Sequence, residues 1–65
     1  MMDIIINGKA LTLTSSELKQ CLIEYGAKAP FAVAINGQFI PQEQHANYTL
    51  NDGDCIDVLS PIQGG

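Results

Sequence analysis

The 65-residue sequence predicts a small α+β domain, with one helix packed across one face of a mixed sheet of four to five strands. Three observations predict it. Two Asn-Gly dipeptides, Asn7-Gly8 and Asn36-Gly37, each stand between short β-branched or alternating runs, the pattern of a hairpin closed by a type I′ turn. A single stretch, residues 15–25, carries apolar side chains at helical spacing. A last alternating run follows the dense turn Asn51-Asp52-Gly53-Asp54. The length permits one domain, because a chain this short buries only about 60% of its unfolded surface and its core yields roughly a few kcal/mol. A large enclosed active site does not fit in it.

Asp3-Ile4-Ile5-Ile6 is short and β-branched, and Lys9-Ala10-Leu11-Thr12-Leu13 alternates with a period of two, which completes the first hairpin around Asn7-Gly8. Thr14-Ser15-Ser16-Glu17 offers capping hydroxyls, with Thr14 and Glu17 at capping-box spacing, and Leu18, Cys21, Leu22 and Tyr25 follow at i, i+3, i+4 and i+7. Gly26 stands where a left-handed C-terminal cap belongs, so residues 15–25 read as an amphipathic helix of about three turns. After a connector over 27–30, Phe31, Val33 and Ile35 put bulk on one face of a strand and Ala32 and Ala34 leave the other small. The second hairpin follows at Asn36-Gly37, with Gln38-Phe39-Ile40 as a short strand that Pro41 ends. Residues 42–48 lack periodicity and leave room for one irregular helical turn. Cys55-Ile56-Asp57-Val58-Leu59 is the last strand, with Ile56 and Val58 inward if Asp57 faces water. Residues 1–59 then form the domain and 60–65 a tail: Pro61 disrupts sheet pairing and Gly64-Gly65 has no side chains to pack. The tail reads as a flexible arm that extends up to roughly 20 Å and ends in a carboxylate.

Composition narrows the function classes. Apolar residues make up 46% and charged residues 15%, the proportions of a globular domain and not of a disordered tail. Three lysines against seven acidic residues give a net charge of −4, and no arginine is present. Without a bidentate cation or counterion release to exploit, nucleic acid is excluded as a partner. The acidic residues thicken late in the chain, at Glu43, Asp52, Asp54 and Asp57, which suits a basic partner surface as well as plain solubility. Ile4-Ile5-Ile6 is too short an apolar run for a membrane span, and Met1-Met2-Asp3 has no basic leader region, so the expectation is a cytoplasmic protein with free thiols and no membrane contact.

No catalytic constellation is present. Ser15 and Ser16 are explained by capping, and His45 reads as a surface or half-buried residue with no nucleophile or carboxylate to work with. Cys21 falls on the helical stripe as a small buried hydrophobe, while Cys55 opens a strand at a semi-exposed position. Neither lies in a CxxC and there is no second histidine, so no metal site is expected. Asp52-Gly53-Asp54 lacks the spaced ligands and closing glutamate of a calcium loop and is a tight turn. What remains is the carboxy terminus.

Val33-Ala34-Ile35-Asn36-Gly37-Gln38-Phe39-Ile40-Pro41, Asn51-Asp52-Gly53-Asp54-Cys55-Ile56 and the ending Ser60-Pro61-Ile62-Gln63-Gly64-Gly65 together resemble the bacterial sulfur carrier family of thiamine biosynthesis. The resemblance spans nearly the whole chain, and its specificity lies in the combination of these segments. It implies a ubiquitin-like β-grasp fold and a carrier that is not itself an enzyme. By this resemblance, an adenylating enzyme of the ubiquitin-activating type uses ATP to convert the Gly65 carboxylate to an acyl-adenylate. A sulfur-relay protein bearing a cysteine persulfide then supplies the sulfur of a thiocarboxylate, and thiazole synthase takes that sulfur. The chain itself holds no cofactor in this scheme. The carboxylate is ionised at neutral pH, as attack on a phosphorus requires. Gly64 and Gly65, preceded by Ile62 and Gln63, would let bare backbone enter a narrow channel.

A partner surface also follows from the alternation. With Ile4 and Ile6 inward, Ile5 points outward, and Leu59 falls on the same outer face, so the two with the tail would form one docking face. Three other readings compete: the small subunit of molybdopterin synthase, which typically runs longer; a ubiquitin-like modifier joined to protein lysines; and a binding module whose tail is inert. An enzyme in its own right comes last.

Overall fold

The computed structural model describes residues 1–28 and 30–60; the expectations for Ile62, Gln63, Gly64 and Gly65 lie outside the described residues. Strands β1 (Met2–Ile6) and β2 (Lys9–Leu13) form the first hairpin, helix α1 spans Leu18–Tyr25, and β3 (Ala32–Ile35) and β4 (Gln38–Ile40) form the second hairpin. A 3-10 helix over Gln42–Asn47 and strand β5 (Cys55–Leu59) complete the elements of the described residues. The five strands make one mixed sheet in the order β2-β1-β5-β3-β4, in which β5 runs parallel to β1 and antiparallel to β3.

Alternation decides which face is covered. Ile4, Ile6, Val33, Ile35, Ile56 and Val58 all point inward and are buried against Leu18, Cys21 and Leu22 of the helix, with Leu50 and Ile40 in the same core. The register stacks Ile6, Ile56 and Ile35 in one row across β1, β5 and β3. The last strand in sequence is thus the middle of the sheet.

The helix starts three residues later than its sequence suggests. Glu17 is its extended N-cap, with φ −81° and ψ 125°, and no side chain caps it. The reason is a competing pairing. Leu50 N–H donates to the Ser16 carbonyl at 2.7 Å and Leu18 N–H to the Tyr48 carbonyl at 3.2 Å, which ties residues 16–18 to the segment before β5 as a short antiparallel bridge. Two backbone bonds outweigh a capping box whose elements sit in an extended stretch, and Ser15 Oγ accepts instead from Glu17 N–H at 3.1 Å. The other end follows expectation. Gly26 at φ +90° donates to the Ile23 carbonyl and Ala27 to the Leu22 carbonyl, a Schellman closure. Phe31 falls just outside β3, and its ring stacks on His45 at 6.0 Å and 6°.

The two Asn-Gly turns do more than reverse the chain. Asn7 and Asn36 adopt φ of 50° and 52°, and each side chain then reaches β5. Asn7 Oδ1 accepts from Val58 N–H at 2.8 Å while its Nδ2 donates to the Val58 carbonyl at 3.2 Å and to the Tyr25 hydroxyl at 2.8 Å. The amide therefore continues the ladder where β1 has ended. Asn36 Oδ1 accepts from Cys55 N–H at 3.0 Å, and its Nδ2 donates to Asp54 Oδ1 at 3.0 Å. One asparagine pins each end of the central strand.

Candidate docking face

The tail leaves the described fold at Ser60, directly after β5, so the site is built around the end of that strand. With Ile56 and Val58 inward, Cys55, Asp57 and Leu59 point to the opposite face of the sheet, which the helix does not cover. Register adds Ile5 beside Cys55, Ala34 beside Asp57, Ala32 beside Leu59, and Phe39 beside Ala34. Three large apolar side chains are exposed on this face: Ile5 is 44%, Leu59 59% and Phe39 62% accessible. Three large apolar side chains in water on one side of one sheet mark an interaction surface more strongly than the same residues scattered singly.

Ile5 and Leu59 do share this face, as alternation requires, but they are not neighbours. Ile5 pairs with Cys55 and Leu59 with Ala32, four residues or about 13 Å further along β5. Phe39, which sequence reasoning did not single out, fills the third corner. Its signal was present, since once Ile40 before Pro41 is placed inward, the preceding residue must point out. At the root of the tail, Pro30, Phe31, Ala32, Leu59 and Ser60 line an open groove of about 340 Å³.

The acidic residues divide into two groups. Asp54 is buried, and its carboxylate accepts from Asn51 N–H at 2.9 Å and from the Asn36 amide. Asp52 Oδ1 accepts from Asp3 N–H at 2.7 Å, and Asp3 Oδ1 accepts from the Thr12 hydroxyl at 2.8 Å. The Asn51–Asp54 turn therefore uses its carboxylates to satisfy backbone and side-chain donors, and no group of potential metal ligands forms among the described residues. Asp57 is the acidic residue on β5 that points outward into the face.

His45 is buried, not surface or half-buried as its sequence context suggests. Its Nε2 lies 3.1 Å from the Ile40 carbonyl, to which an Nε2–H donates, and Phe31 covers the ring. It fastens the 3-10 helix to the end of β4, a structural task. The cysteines divide as their positions imply: Cys21 is buried and Cys55 exposed, both as free thiols. Burial, and secondarily the Glu24 carboxylate, raises the Cys21 thiol above its ordinary value. At neutral pH one equivalent of an aromatic disulfide reagent is expected to react promptly, at Cys55, with the second thiol released only on unfolding; two fast equivalents would contradict the packing around Cys21. The neutral Cys21 thiol supports the fold below the unfolded value of about 8.5, and this support is lost as pH rises through the higher folded-state value.

A family model described as the ThiS family matches residues 4–65, from within β1 through Gly64-Gly65. The chain belongs to the ThiS family. It is 35% identical to the "Sulfur carrier protein ThiS" of Escherichia coli strain K12, over 98% of this chain and 100% of that protein. A crystal structure of the thiamine biosynthesis protein ThiS from Geobacter metallireducens is similar at 26% identity, with a TM-score of 0.78, 98% of this chain and 100% of that one covered. A solution structure of a thiamine biosynthesis protein from the same organism gives 25% identity and a TM-score of 0.76, over 98% and 88% of the two chains. The five-stranded mixed sheet with one helix is thus the ThiS β-grasp fold, in agreement with the architecture that the sequence predicts. Among the described residues, no helix is long and apolar enough to cross a membrane.

Proposed function

We propose that this ThiS-family chain is a sulfur carrier for the thiazole moiety of thiamine, and that its working group is the Gly65 carboxylate. The observation that carries the reading is the family match through residues 4–65, which joins an intact Gly64-Gly65 end to a sheet whose uncovered face begins where that tail is rooted. In this reading the Gly65 carboxylate attacks the α-phosphorus of ATP on an adenylating enzyme of the ubiquitin-activating type, and pyrophosphate leaves. A persulfide sulfur from a relay protein displaces AMP from the acyl carbon, and a thiol cleaves the resulting S–S bond to leave a thiocarboxylate. Thiazole synthase then accepts the sulfur. This chain supplies no acid, base or nucleotide site in the scheme. It supplies a carboxylate and a surface by which other proteins hold it, with Ile5 and Leu59 on that surface and Ile62, Gln63 and Gly64 leading to the reacting atom.

Intact-mass measurement tests the reading. After incubation with ATP, the adenylating enzyme and a persulfide source, the full chain is expected to exchange one oxygen for sulfur, and a chain lacking Gly65 to stay unchanged. Unchanged full-length mass beside active partner enzymes would overturn the carrier reading. Turnover of the thiocarboxylate by thiazole synthase separates it from a molybdopterin-pathway carrier, and isopeptide conjugates to lysines would instead mark a protein modifier.

A further inference from the structure

Asp57 stands inside the apolar face, not at its edge. Its flanking outward residues on β5 are Cys55 and Leu59, its cross-strand partner is Ala34, and beyond that lies Phe39. Ala34 is too short to shield the carboxylate or pair with it, and the Asp57 side chain forms no hydrogen bond or ion pair among the described residues. No lysine takes an outward register position: Lys9 pairs with the inward Ile6, Lys19 is on the helix and Lys28 follows it. The neutral positions around Asp57 mean that any protein covering Leu59 and Phe39 must strip water from this carboxylate as well. An uncompensated charge there would oppose association strongly.

We propose that Asp57 is the specificity-determining residue of the docking face, and that the adenylating enzyme meets it with a lysine or arginine set among apolar side chains. The inference rests on the sulfur-carrier reading for the identity of that enzyme. A second copy of the chain is a poor occupant, because face-to-face packing would bring two Asp57 carboxylates together in a chain that already carries −4. Position supports the partner: Asp57 is three residues before Ser60, and residues 60–65 can reach up to roughly 20 Å, so an enzyme seated on Asp57 can hold the terminal carboxylate in its nucleotide site.

The test measures ATP–pyrophosphate exchange by the adenylating enzyme of the same organism as a function of carrier concentration and salt, with wild type, Asp57→Asn, Asp57→Leu and Asp57→Lys. All three substitutions are on a solvent-facing position, and thermal unfolding serves as the check that each variant is folded. The expected result is a rise in KM of at least about tenfold for Asn and Leu and more for Lys, with kcat unchanged at saturation and a weaker salt dependence than wild type. Restoration of Asp57→Lys by an acidic substitution of the partner's cation would complete the assignment. Equal KM for all four proteins, or tighter binding by Asp57→Leu, would overturn the proposal while leaving the carrier reading in place. A wild-type chain that supports no exchange would end both, and a wild-type dimer that Asp57→Lys dissociates would assign the face to self-association and overturn the partner assignment.

Discussion

Ile56→Ala is expected to leave the chain largely unfolded at 25 °C. Ile56 is 1% exposed, sits in the middle strand of the sheet, and is the centre of the buried row formed with Ile6 on β1 and Ile35 on β3. Truncating a buried isoleucine to alanine costs about 2–5 kcal/mol, through lost transfer energy and the cavity left behind. Collapse around the gap is limited here, since both neighbouring strands are held to β5 by backbone ladders and by the Asn7 and Asn36 side chains. A core of this size supplies only about 3–5 kcal/mol in all, so the loss is comparable with the whole stability of the domain. Cys55→Ala, one residue earlier and outward, is the control, expected within about 0.5 kcal/mol of wild type. Urea unfolding followed by far-UV circular dichroism decides the matter: a cooperative transition for Ile56→Ala at the wild-type midpoint would show that the core does not depend on β5.

The contrast between those neighbouring positions also explains how much of the molecule could be read from its sequence. Period-two alternation says which residues share a face, and it placed Ile56 and Val58 inward and Ile5 and Leu59 outward correctly. Local turn chemistry gave both hairpins, because Asn-Gly needs nothing beyond its own backbone preference. The misses all involve partners distant in sequence. The late start of the helix depends on residues 48 and 50 pairing with residues 16 and 18, and the burial of His45 depends on a Phe31 ring brought over it by the fold. The same holds for the site. Strand order put Ala34 and Phe39 beside Asp57, and nothing local to any of the three says that β4 is two strands away from β5. That non-local register turned two outward residues into a face with a carboxylate inside it.

Phe39→Ala combined with Leu59→Ala is expected to remove productive docking while leaving the fold intact. Both side chains are about three-fifths exposed, so neither contributes much to the core, and each truncation is expected to change stability by no more than about 0.5 kcal/mol. Exposed rings and leucines promote self-association, and the proposed partner would cover them. From Ile5 across to Phe39 the face spans three strand spacings, about 14 Å, and along β5 about 13 Å. A patch on the order of 200 Å² falls well short of the ~800 Å² that each side of a stable protein complex buries. The sheet face therefore holds a partner weakly by itself, and the tail has to supply the rest of the contact. In the proposed scheme, a carrier that visits an activating enzyme and then a sulfur acceptor would gain from this division, because the complex would loosen once the tail is withdrawn. On so small a patch, two of the three large apolar contacts carry most of the face's own share of the affinity, at about 2 kcal/mol each for well-buried anchors. The double variant is thus expected to raise the carrier KM in ATP–pyrophosphate exchange by about a hundredfold or more, with kcat at saturation near wild type since the proposed reacting group, the Gly65 carboxylate, is untouched. A loss confined to kcat would place the defect in the tail, and a KM within about threefold of wild type would mean that the enzyme holds this chain by some surface other than the uncovered face of its sheet.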